Sequence, residues 1–257
     1  MPKSKVFDSF ADAVSDIPDG AVIGFGGFAV VGMPLNLYDA LEKQGAKRLT
    51  CVSNGTGGGA TLPADAPNLS RLISGNQVSK VVAAFTAPTR ASQRIPLTDY
   101  VDKGLVEAEL VPQGTLAERL RAAGAGIPAF YTPAAVGTEL AQGRETRIFN
   151  GREYLLEEAL PLDYAFIRAW QADEFGNLRF RRSQRNFNPL MAMAAKITVV
   201  EVEEPLLPRG AIDADDVHLP GIYVHRLVKI PPPPEGIWPQ RPADIAARAA
   251  AQGGTAR

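Results

Sequence analysis

The chain has 257 residues, of which 46% are hydrophobic and 21% are charged, and its formal net charge is −1. This is the composition of a globular protein, and the near-neutral charge argues against nucleic acid or an anionic membrane as the main partner, since both attract basic surfaces. The apolar runs are far shorter than the roughly 18 residues that suggest a membrane span, and the charged, amphipathic N-terminus lacks the apolar core of a signal peptide.

The first half of the chain alternates apolar strands with amphipathic helices. A short helix in SFADAVSDI leads to the strand AVIGFGGF, whose nearly continuous apolar pattern is typical of a strand covered on both faces. The helix LNLYDALEKQG ends at Gly45, because glycine is favoured at helix C-caps. Further strands are predicted in LTCVSNG, KVVAAFT and EAELVPQG, and further helices in PNLSRLISGN, IPLTDYVDKG and TLAERLRAAGAG. This alternation indicates βαβ units and a parallel sheet.

The last of these helices carries a capping signal. Thr115 is a favoured N-cap residue type, and Glu118 follows at the spacing of a capping box. The preceding strand is expected to end at Gln113 and Gly114, so that the helix starts after them.

The second half of the chain has a different pattern. The segments AFYTP, TRIFNGREYLLEEAL and DYAFIRAWQADEFGNLRF alternate apolar and polar residues, with turn signals at Asn150-Gly151 and Gly176-Asn177. This pattern predicts hairpins or paired strands on the same core.

The C-terminal part is expected to contribute the last elements of one domain and to continue as a tail outside it. LMAMAAK predicts a short helix, and ITVVEVEEPL predicts a late strand. The following proline run, IPPPPEGIWP, excludes an internal helix or a central strand. We therefore expect one domain over residues 1–230 and a Pro-rich tail over residues 231–257.

The only cysteine, Cys51, lies in the predicted strand LTCVSN. A single cysteine excludes an internal disulfide framework and fits a reducing compartment, so we expect a cytoplasmic location. A thiol in a buried strand is also expected to be an inert core residue rather than a nucleophile.

Residues 24–29, GFGGFA, fit the loose dinucleotide pattern G-x-G-x-x-A after a strand. A nicotinamide site also needs an acidic residue about 20 positions further on, at the end of the next strand. That strand ends instead in Ser53-Asn54. The lysine of a phosphate-binding P-loop is missing as well. An NAD-dependent oxidoreductase is therefore a minor alternative.

Three loops rich in small residues or amides follow predicted strands: residues 26–34 (the glycine loop), SNGTGGG at 53–59 and VPQG at 111–114. In an open α/β sheet the carboxyl ends of the strands share one edge, where ligands bind. Backbone N–H groups at such an edge can hold an oxyanion or a phosphate. Turn formation would explain any one loop, but the three together favour a ligand site.

The segment DGAVIGFGGFAVVGMP resembles the N-terminal signature of the A subunits of family I coenzyme A transferases. The shared features are Asp-Gly, an apolar strand, Gly-Gly-Phe, three residues and Gly-x-Pro. The resemblance continues through LTCVSN, ELVPQGTLAERLRAAGAGIPAFYTP, FNGREYLLEEAL, RNFNP, AAKITVVEVEE and VHLPGIYVHRLVK. It implies an open, largely parallel sheet flanked by helices, of the CoA-transferase or NagB-RpiA-like type, in the A subunit of a 3-oxoacid or 3-oxoadipate CoA-transferase.

The resemblance implies half of an enzyme. In the family a glutamate attacks the acyl-CoA thioester, and a glutamyl-CoA thioester then delivers CoA to an acceptor acid. That glutamate lies in a Ser-Glu-Asn-Gly stretch of the B subunit, and this chain has no such stretch. The resemblance thus implies a heterodimer or α2β2 assembly with a B subunit, active only as a pair, and no permanently bound cofactor. Succinyl-CoA is the implied donor, and acetoacetate or 3-oxoadipate is the implied acceptor.

By resemblance, residues of the glycine loop line the acyl and CoA thioester site: Gly26, Gly27, Phe28, Gly32 and Pro34. Gln113 matches a glutamine beside the thioester, where its amide could donate to the carbonyl oxygen. Its alternative role is to cap the following helix. Asn54 and Gly114, on the same edge, are further candidates for the binding site.

Other polar residues are expected to be structural. The motif RNFNP is expected to bond loop backbone through Arg185, Asn186 and Asn188. Acidic residues alternate along predicted strands and are expected on solvated faces or subunit contacts: Glu107, Glu109, Glu201 and Glu203. His218 and His225 do not have metal-ligand spacing, so no metal site is expected.

The sequence departs from the family pattern at three places, and these are the places at which we expect the acyl specificity to be set. Gly24 replaces a larger apolar residue, which would loosen its strand. The stretches GTGGGATLPADAP and FTAPTRASQRIPL replace longer or differently charged loops.

Two other functions stay open. On the same scaffold, an acyl-CoA hydrolase or a ring-opening enzyme would let water resolve the intermediate. A non-catalytic ligand-binding module of this fold would bind without turnover, since the chain lacks the nucleophile.

Overall fold

A computed structural model describes residues 4–56, 66–86 and 95–232 of the chain. The predicted tail beyond residue 232, the glycines at 57–59 and most of FTAPTRASQRIPL lie outside the described residues.

The described α-helices and strands match the predicted order of the first half. The helices are α1 (Phe10–Val14), α2 (Leu35–Gln44), α3 (Leu69–Ser74), α4 (Pro96–Asp102), α5 (Gln113–Gly124) and α6 (Asn188–Ala194). The strands are β1 (Val6–Phe7), β2 (Val22–Phe25), β3 (Leu49–Gly55), β4 (Val78–Phe85), β5 (Glu107–Leu110), β6 (Ala129–Thr132), β7 (Thr146–Phe149), β8 (Arg152–Glu158), β9 (Leu162–Ala169), β10 (Gln171–Ala172), β11 (Leu178–Arg179), β12 (Ala195–Val202) and β13 (Arg226–Lys229). Short 3₁₀ helices lie at Glu139–Ala141, Arg182–Arg185, Ala214–Asp216 and Gly221–Tyr223.

Eight strands form one sheet in the order β1-β13-β12-β9-β2-β3-β4-β5. Each pair of neighbours is parallel, which confirms the predicted open α/β architecture. The chain order runs outward in both directions from the β2–β9 pair, except for the short edge strand β1, which follows β13. The segment DYAFIRA is the buried central strand β9, which pairs with β2 and β12, so the paired-strand alternative is correct for it and the hairpin alternative is not. Of its polar residues, Tyr164 and Arg168 are buried, whereas Asp163 is partly exposed and pairs with Lys196 at 2.9 Å.

The predicted hairpins are present in two small antiparallel sheets. One sheet has the strand order β6-β8-β7, and the other consists of β10 and β11. Asn150 and Gly151 connect β7 to β8 with φ angles of 50° and 76°, as a two-residue type I′ turn requires. Gly176, with a φ of 90°, lies in the turn between β10 and β11.

Helices cover both faces of the large sheet. Residues of α1 to α4 belong to one apolar cluster, and residues of α5 and α6 belong to a second cluster. In the first cluster, Phe25 of β2 stacks on Tyr38 of α2 with ring centroids 4.3 Å apart and meets Phe166 of β9 edge-on at 5.6 Å. Because β2 enters the glycine loop and α2 leaves it, these aromatic contacts fix both ends of the loop.

The predicted capping box of α5 is wrong. The helix begins at Gln113, and Leu116 N–H already donates to Pro112 O at 2.8 Å. Thr115 therefore lies inside the first turn, where its hydroxyl is buried and has no hydrogen-bond partner in the part of the chain that the structure describes. Glu118 pairs with Arg121 at 2.9 Å instead.

The prediction that Glu201 lies on a solvated face or in a subunit contact was wrong. Its side chain is completely buried at the start of α2. Its Oε2 accepts the backbone N–H groups of Asn36 and Leu37 at 2.9 and 3.2 Å. The carboxylate thus satisfies N–H groups that have no partner within the helix and complements the positive end of the helix dipole. Alternation along β12 could not reveal this burial, since both faces of a central parallel strand are covered.

One buried guanidinium serves two carboxylates in this region. Arg168 of β9 donates to Glu201 Oε1 at 3.1 Å and to Glu203 Oε1 at 2.8 Å. Burial raises the pKa of Glu201 to about 7, although Arg168 and the N–H groups of α2 act in the opposite direction. The network connects β9, β12 and the helix that follows the glycine loop.

We expect the raised pKa of Glu201 to reduce stability as the pH rises. The folded protein holds this proton up to about pH 7, whereas an ordinary glutamate releases it near 4.5. The stability that the protonated Glu201 contributes is therefore fully present below pH 4.5 and is lost as the pH rises towards about 7. Glu201→Gln mimics the protonated group, so its free energy of unfolding should rise relative to that of the unmodified protein by up to about 3 kcal/mol across this range. Urea denaturation at a series of pH values measures this difference, and parallel pH profiles would contradict it.

Cys51 is completely buried in β3, and burial raises the pKa of its thiol. We expect a thiol-specific reagent such as DTNB to leave the folded protein unlabelled at mildly alkaline pH, because the thiolate is the reactive form. Unfolding in urea should release one equivalent, which serves as the control. Rapid labelling of the folded protein would show that Cys51 is accessible.

Candidate active site

The candidate site lies at the carboxyl edge of the large sheet, beside the β2–β9 pair. The chain order reverses at this pair, and in α/β proteins such a reversal opens a crevice that binds ligands. The glycine loop follows β2, Asn54 lies near the end of β3, and Gln113 begins α5 after β5. Since Phe25 pairs with Ser53, Asn54 lies next to the start of the glycine loop.

The glycine loop is a tight turn held by backbone hydrogen bonds. Phe28 and Val31 each donate an N–H to the other's carbonyl oxygen at 3.0 Å. The N–H of Gly26 donates to Phe166 O of β9 at 2.9 Å. The loop is therefore joined to the neighbouring strand from its first residue.

Two glycines of the loop are explained by their backbone conformation. Gly27 and Gly32 have φ angles of 112° and 74°, where glycine avoids the steric cost of a Cβ atom. Pro34 then ends the loop as the N-cap residue of α2. Turn chemistry accounts for these residues without a ligand.

Gly26 is explained by packing against a buried amide. A Cβ atom on Gly26 would overlap Oδ1 of the completely buried Asn188. Asn188 Nδ2 donates to Gly32 O at 3.2 Å and to Gln184 O at 2.8 Å. Its Oδ1 accepts the N–H of Arg168 at 3.0 Å. This side chain joins the loop to β9, which confirms the structural role expected for Asn188.

The other two polar residues of RNFNP differ from one another. Asn186 Nδ2 donates to Val31 O at 3.0 Å, as expected for a residue that bonds loop backbone. Arg185 is exposed, and no hydrogen bond connects its side chain to the described part of the loop. The structural role of Arg185 therefore stays a prediction.

Gly24 does not loosen its strand. A Cβ atom there would come within 2.7 Å of Met191 Sδ and would also overlap Leu162 Cδ1. Neighbouring side chains of α6 and β9 thus occupy the space that a larger residue would fill.

Gln113 and Asn54 contact each other. Gln113 Nε2 donates to Asn54 Oδ1 at 2.6 Å, while Asn54 is buried and Gln113 is half-buried. Gly114 follows in the first turn of α5, and a Cβ atom on it would have no neighbour within 4 Å among the described residues. Neither packing nor a left-handed φ explains this glycine, so it leaves the backbone open to an approaching molecule.

Apolar side chains line the same edge. Phe28 and Val31 of the glycine loop are 45% and 40% exposed, and Phe85 at the end of β4 is 54% exposed. Sequence reasoning missed Phe85, although its place at the end of an apolar strand between β3 and β5 was the available signal. Together these residues give the edge an apolar surface next to its amide donors.

The acidic residues near the glycine loop are already engaged. Glu201 is buried under α2, and Glu203 accepts hydrogen bonds from Arg168 and from Gln184 Nε2, each at 2.8 Å. A carboxylate held in this way is not free to attack a substrate. Within residues 4–56, 66–86 and 95–232, no group of His, Cys, Asp and Glu could hold a metal ion, and no helix is long and apolar enough to cross a membrane.

The family model described as coenzyme A transferase matches residues 7–230 of the chain. The A subunit of the succinyl-CoA:3-ketoacid coenzyme A transferase of Helicobacter pylori (strain J99) is 46% identical over 226 residues, which cover 88% of this chain and 92% of that protein. The A subunit of the 3-oxoadipate CoA-transferase of Pseudomonas putida is 42% identical over 227 residues, which cover 88% and 94%.

Solved structures share the fold. A variant of the decarboxylase AibA/AibB aligns with a TM-score of 0.72 at 28% identity and covers 98% of this chain and 96% of the other. The acyl-CoA transferase YdiF of Escherichia coli O157:H7, in a thioester complex with CoA, aligns with a TM-score of 0.75 at 22% identity over 92% of this chain. The chain spans 49% of the length of YdiF.

The architecture, the loops at the carboxyl edge and the relatives agree with one another. With a family match over residues 7–230 and relatives that are 42% and 46% identical, the chain belongs to the coenzyme A transferase family and is a subunit of the A type.

Proposed function

We propose that the chain works with a B subunit to move CoA from succinyl-CoA to a 3-oxo acid such as acetoacetate or 3-oxoadipate. The proposal rests on one observation: the candidate site offers amide and backbone donors, but the acidic residues described beside it are engaged elsewhere. Transfer of a thioester needs a nucleophile as well as donors. A second polypeptide would therefore supply the carboxylate. The names of the relatives support these substrates and the existence of a second subunit.

The nucleophile would be a glutamate of the B subunit. Its carboxylate attacks the thioester carbonyl, the C–S bond breaks, and an acyl-glutamyl anhydride and CoA thiolate form. The thiolate then attacks the glutamyl carbonyl, which releases the first acid and leaves a glutamyl-CoA thioester. The acceptor acid repeats these two steps in the opposite order, so that the new acyl-CoA leaves and the glutamate is restored.

This chain would stabilise the negative charge that each attack places on a carbonyl oxygen. The amide of Gln113 has two hydrogens, and one of them is donated to Asn54 Oδ1 at 2.6 Å. This bond fixes the amide plane and leaves the second hydrogen for the oxyanion. A donor that is already oriented contributes more, since no reorganisation is needed during the reaction.

The acyl and CoA thioester groups would lie along the glycine loop: Gly26, Gly27, Phe28, Gly32 and Pro34. Exposed Phe28 offers apolar contact, and Gly114 lets the ligand approach the first turn of α5. Asn54 would position Gln113 rather than bind substrate directly, because its side chain is buried.

The assembly would be a heterodimer or an α2β2 tetramer with the B subunit, without a permanently bound cofactor. A cytoplasmic location is proposed from the single, buried Cys51, which needs no oxidising compartment.

A different reaction on the same scaffold is the second candidate. The chain is 28% identical to a decarboxylase, which indicates that this fold also supports reactions other than CoA transfer. Hydrolysis or ring opening would replace the acceptor acid with water, so dependence of turnover on the acceptor separates these reactions from transfer.

We expect transferase activity only when the chain is co-expressed with its B subunit. The purified pair should convert succinyl-CoA and acetoacetate, or succinyl-CoA and 3-oxoadipate, into the new acyl-CoA, whereas this chain alone should not. Chromatographic detection of both CoA esters measures the reaction. Omission of the acceptor is the control, and thioester consumption without an acceptor would favour a hydrolase. Equal transfer by this chain alone would disprove the proposed division of roles.

We expect Gln113→Ala to lower kcat by about 100-fold to 1,000-fold, the usual effect of removing one oxyanion donor. The thermal unfolding midpoint should fall by no more than a few degrees, because half-buried Gln113 at the start of α5 gives up one hydrogen bond to the buried Asn54. Gln142→Ala, which changes an exposed glutamine at the end of a 3₁₀ helix, is the matched control. Unchanged kcat in the Gln113 variant of the pair would show that another group stabilises the oxyanion.

A further inference from the structure

Three arginines beside the glycine loop have no role in the chemistry described above. Arg181, Arg182 and Arg185, here named the arginine cluster, lie within one short stretch of the chain. All three are exposed, and none forms an ion pair with an acidic residue in the described ranges. In a chain of net charge −1 they concentrate positive charge at one place.

The stretch that carries the cluster is fixed against the glycine loop. Asn186, the next residue, donates to Val31 O at 3.0 Å. A Cβ atom on Gly32 would lie 3.0 Å from Gln184 O, so the two backbones are in close contact. Arg182 and Arg185 are the ends of a 3₁₀ helix, in which side chains three residues apart lie on the same side.

Arg181 places the cluster at the edge of the sheet that carries the candidate site. Its guanidinium carbon lies 5.9 Å from the ring centroid of Trp170, and Trp170 directly follows β9. Arg179 contacts the same ring at 5.5 Å but pairs with Asp216 at 3.1 Å, so it is already engaged. The cluster therefore lies beside the strand that neighbours β2.

We propose that the arginine cluster binds the phosphate groups of the CoA thioester while the glycine loop holds its acyl end. CoA carries phosphates on its nucleotide, remote from the sulfur that bears the acyl group. Guanidinium groups match phosphate oxygens in a bidentate geometry and are always charged. Because these guanidiniums are exposed and have no acidic partner among the described residues, their donors are available to a ligand. The inference rests on the proposed function, which places the thioester at the glycine loop.

The test uses the co-expressed pair with the double variant Arg182→Gln and Arg185→Gln. Arg181 is kept, because it also contacts Trp170. Initial rates are compared for succinyl-CoA and for succinyl-pantetheine, which has the same thioester but no nucleotide phosphates. We expect the variant to raise the KM for succinyl-CoA by about tenfold or more with little change in kcat, as for the loss of charge-assisted hydrogen bonds. Added salt should reduce the difference in KM between the variant and the unmodified pair. With succinyl-pantetheine the two proteins should have the same KM and kcat.

The matched control changes two exposed arginines elsewhere. Arg147 and Arg152 stack on Phe149 and Tyr154 of the β6-β8-β7 sheet, so Arg147→Gln with Arg152→Gln removes the same charge away from the loop. This control should keep the KM for succinyl-CoA. Size-exclusion chromatography should show that both double variants still co-elute with the B subunit.

Each other outcome has a separate meaning. An equal rise in KM for succinyl-pantetheine would overturn the phosphate site. It would indicate that the arginines contact the acyl carboxylate or have a role in folding. Loss of co-elution would overturn it in favour of a subunit interface. If the pair is active and the double variant has an unchanged KM for succinyl-CoA, the phosphate-binding role of the arginine cluster is disproved, whereas the proposed function is not. An unmodified pair that neither binds nor converts any CoA thioester would disprove the proposed function as well.

Discussion

The geometry of the glycine loop depends on one buried amide, the side chain of Asn188. It occupies the space left by Gly26 and bonds to Gly32, to Gln184 and to the backbone of Arg168. A buried amide without such partners would cost several kcal/mol by transfer estimates of about 2–7 kcal/mol, so these bonds restrict the loop to one arrangement. The loop is therefore shaped by β9 and the start of α6 as well as by its own turn residues.

A second anchor acts at the other end of the loop. Glu201 binds the first N–H groups of α2 and is paired with Arg168, whose own N–H bonds to Asn188. Buried ion pairs are often no more stabilising than apolar residues of similar size. We therefore interpret the network as a means of fixing geometry. A loop that is anchored at both ends keeps its shape without reorganisation, which suits a site built from preoriented groups.

The glycines at the site fall into two groups with different physical causes. Gly24 and Gly26 make room for neighbouring side chains, and Gly27 and Gly32 provide left-handed backbone. Gly114 lacks both reasons, and it lies beside the Gln113–Asn54 hydrogen bond. A glycine-rich segment is thus weak evidence for a ligand by itself. The stronger evidence is the convergence of amide donors and exposed apolar residues at an edge whose acidic residues are already paired.

The sequence by itself determined the alternation of strands and helices in the first half, the hairpin turns at Asn150-Gly151 and Gly176-Asn177, and the apolar strand that contains Cys51, because periodicity and turn residues are local properties. It also determined the family, through motifs such as Gly-Gly-Phe and RNFNP. The tertiary structure decided that β9 is central, that α5 begins at Gln113, and that Glu201 is buried, since each depends on partners distant in sequence. It alone placed Asn188, Arg168 and Glu201 in one network around the loop, because hydrogen bonds between remote strands leave no periodic signal in the chain.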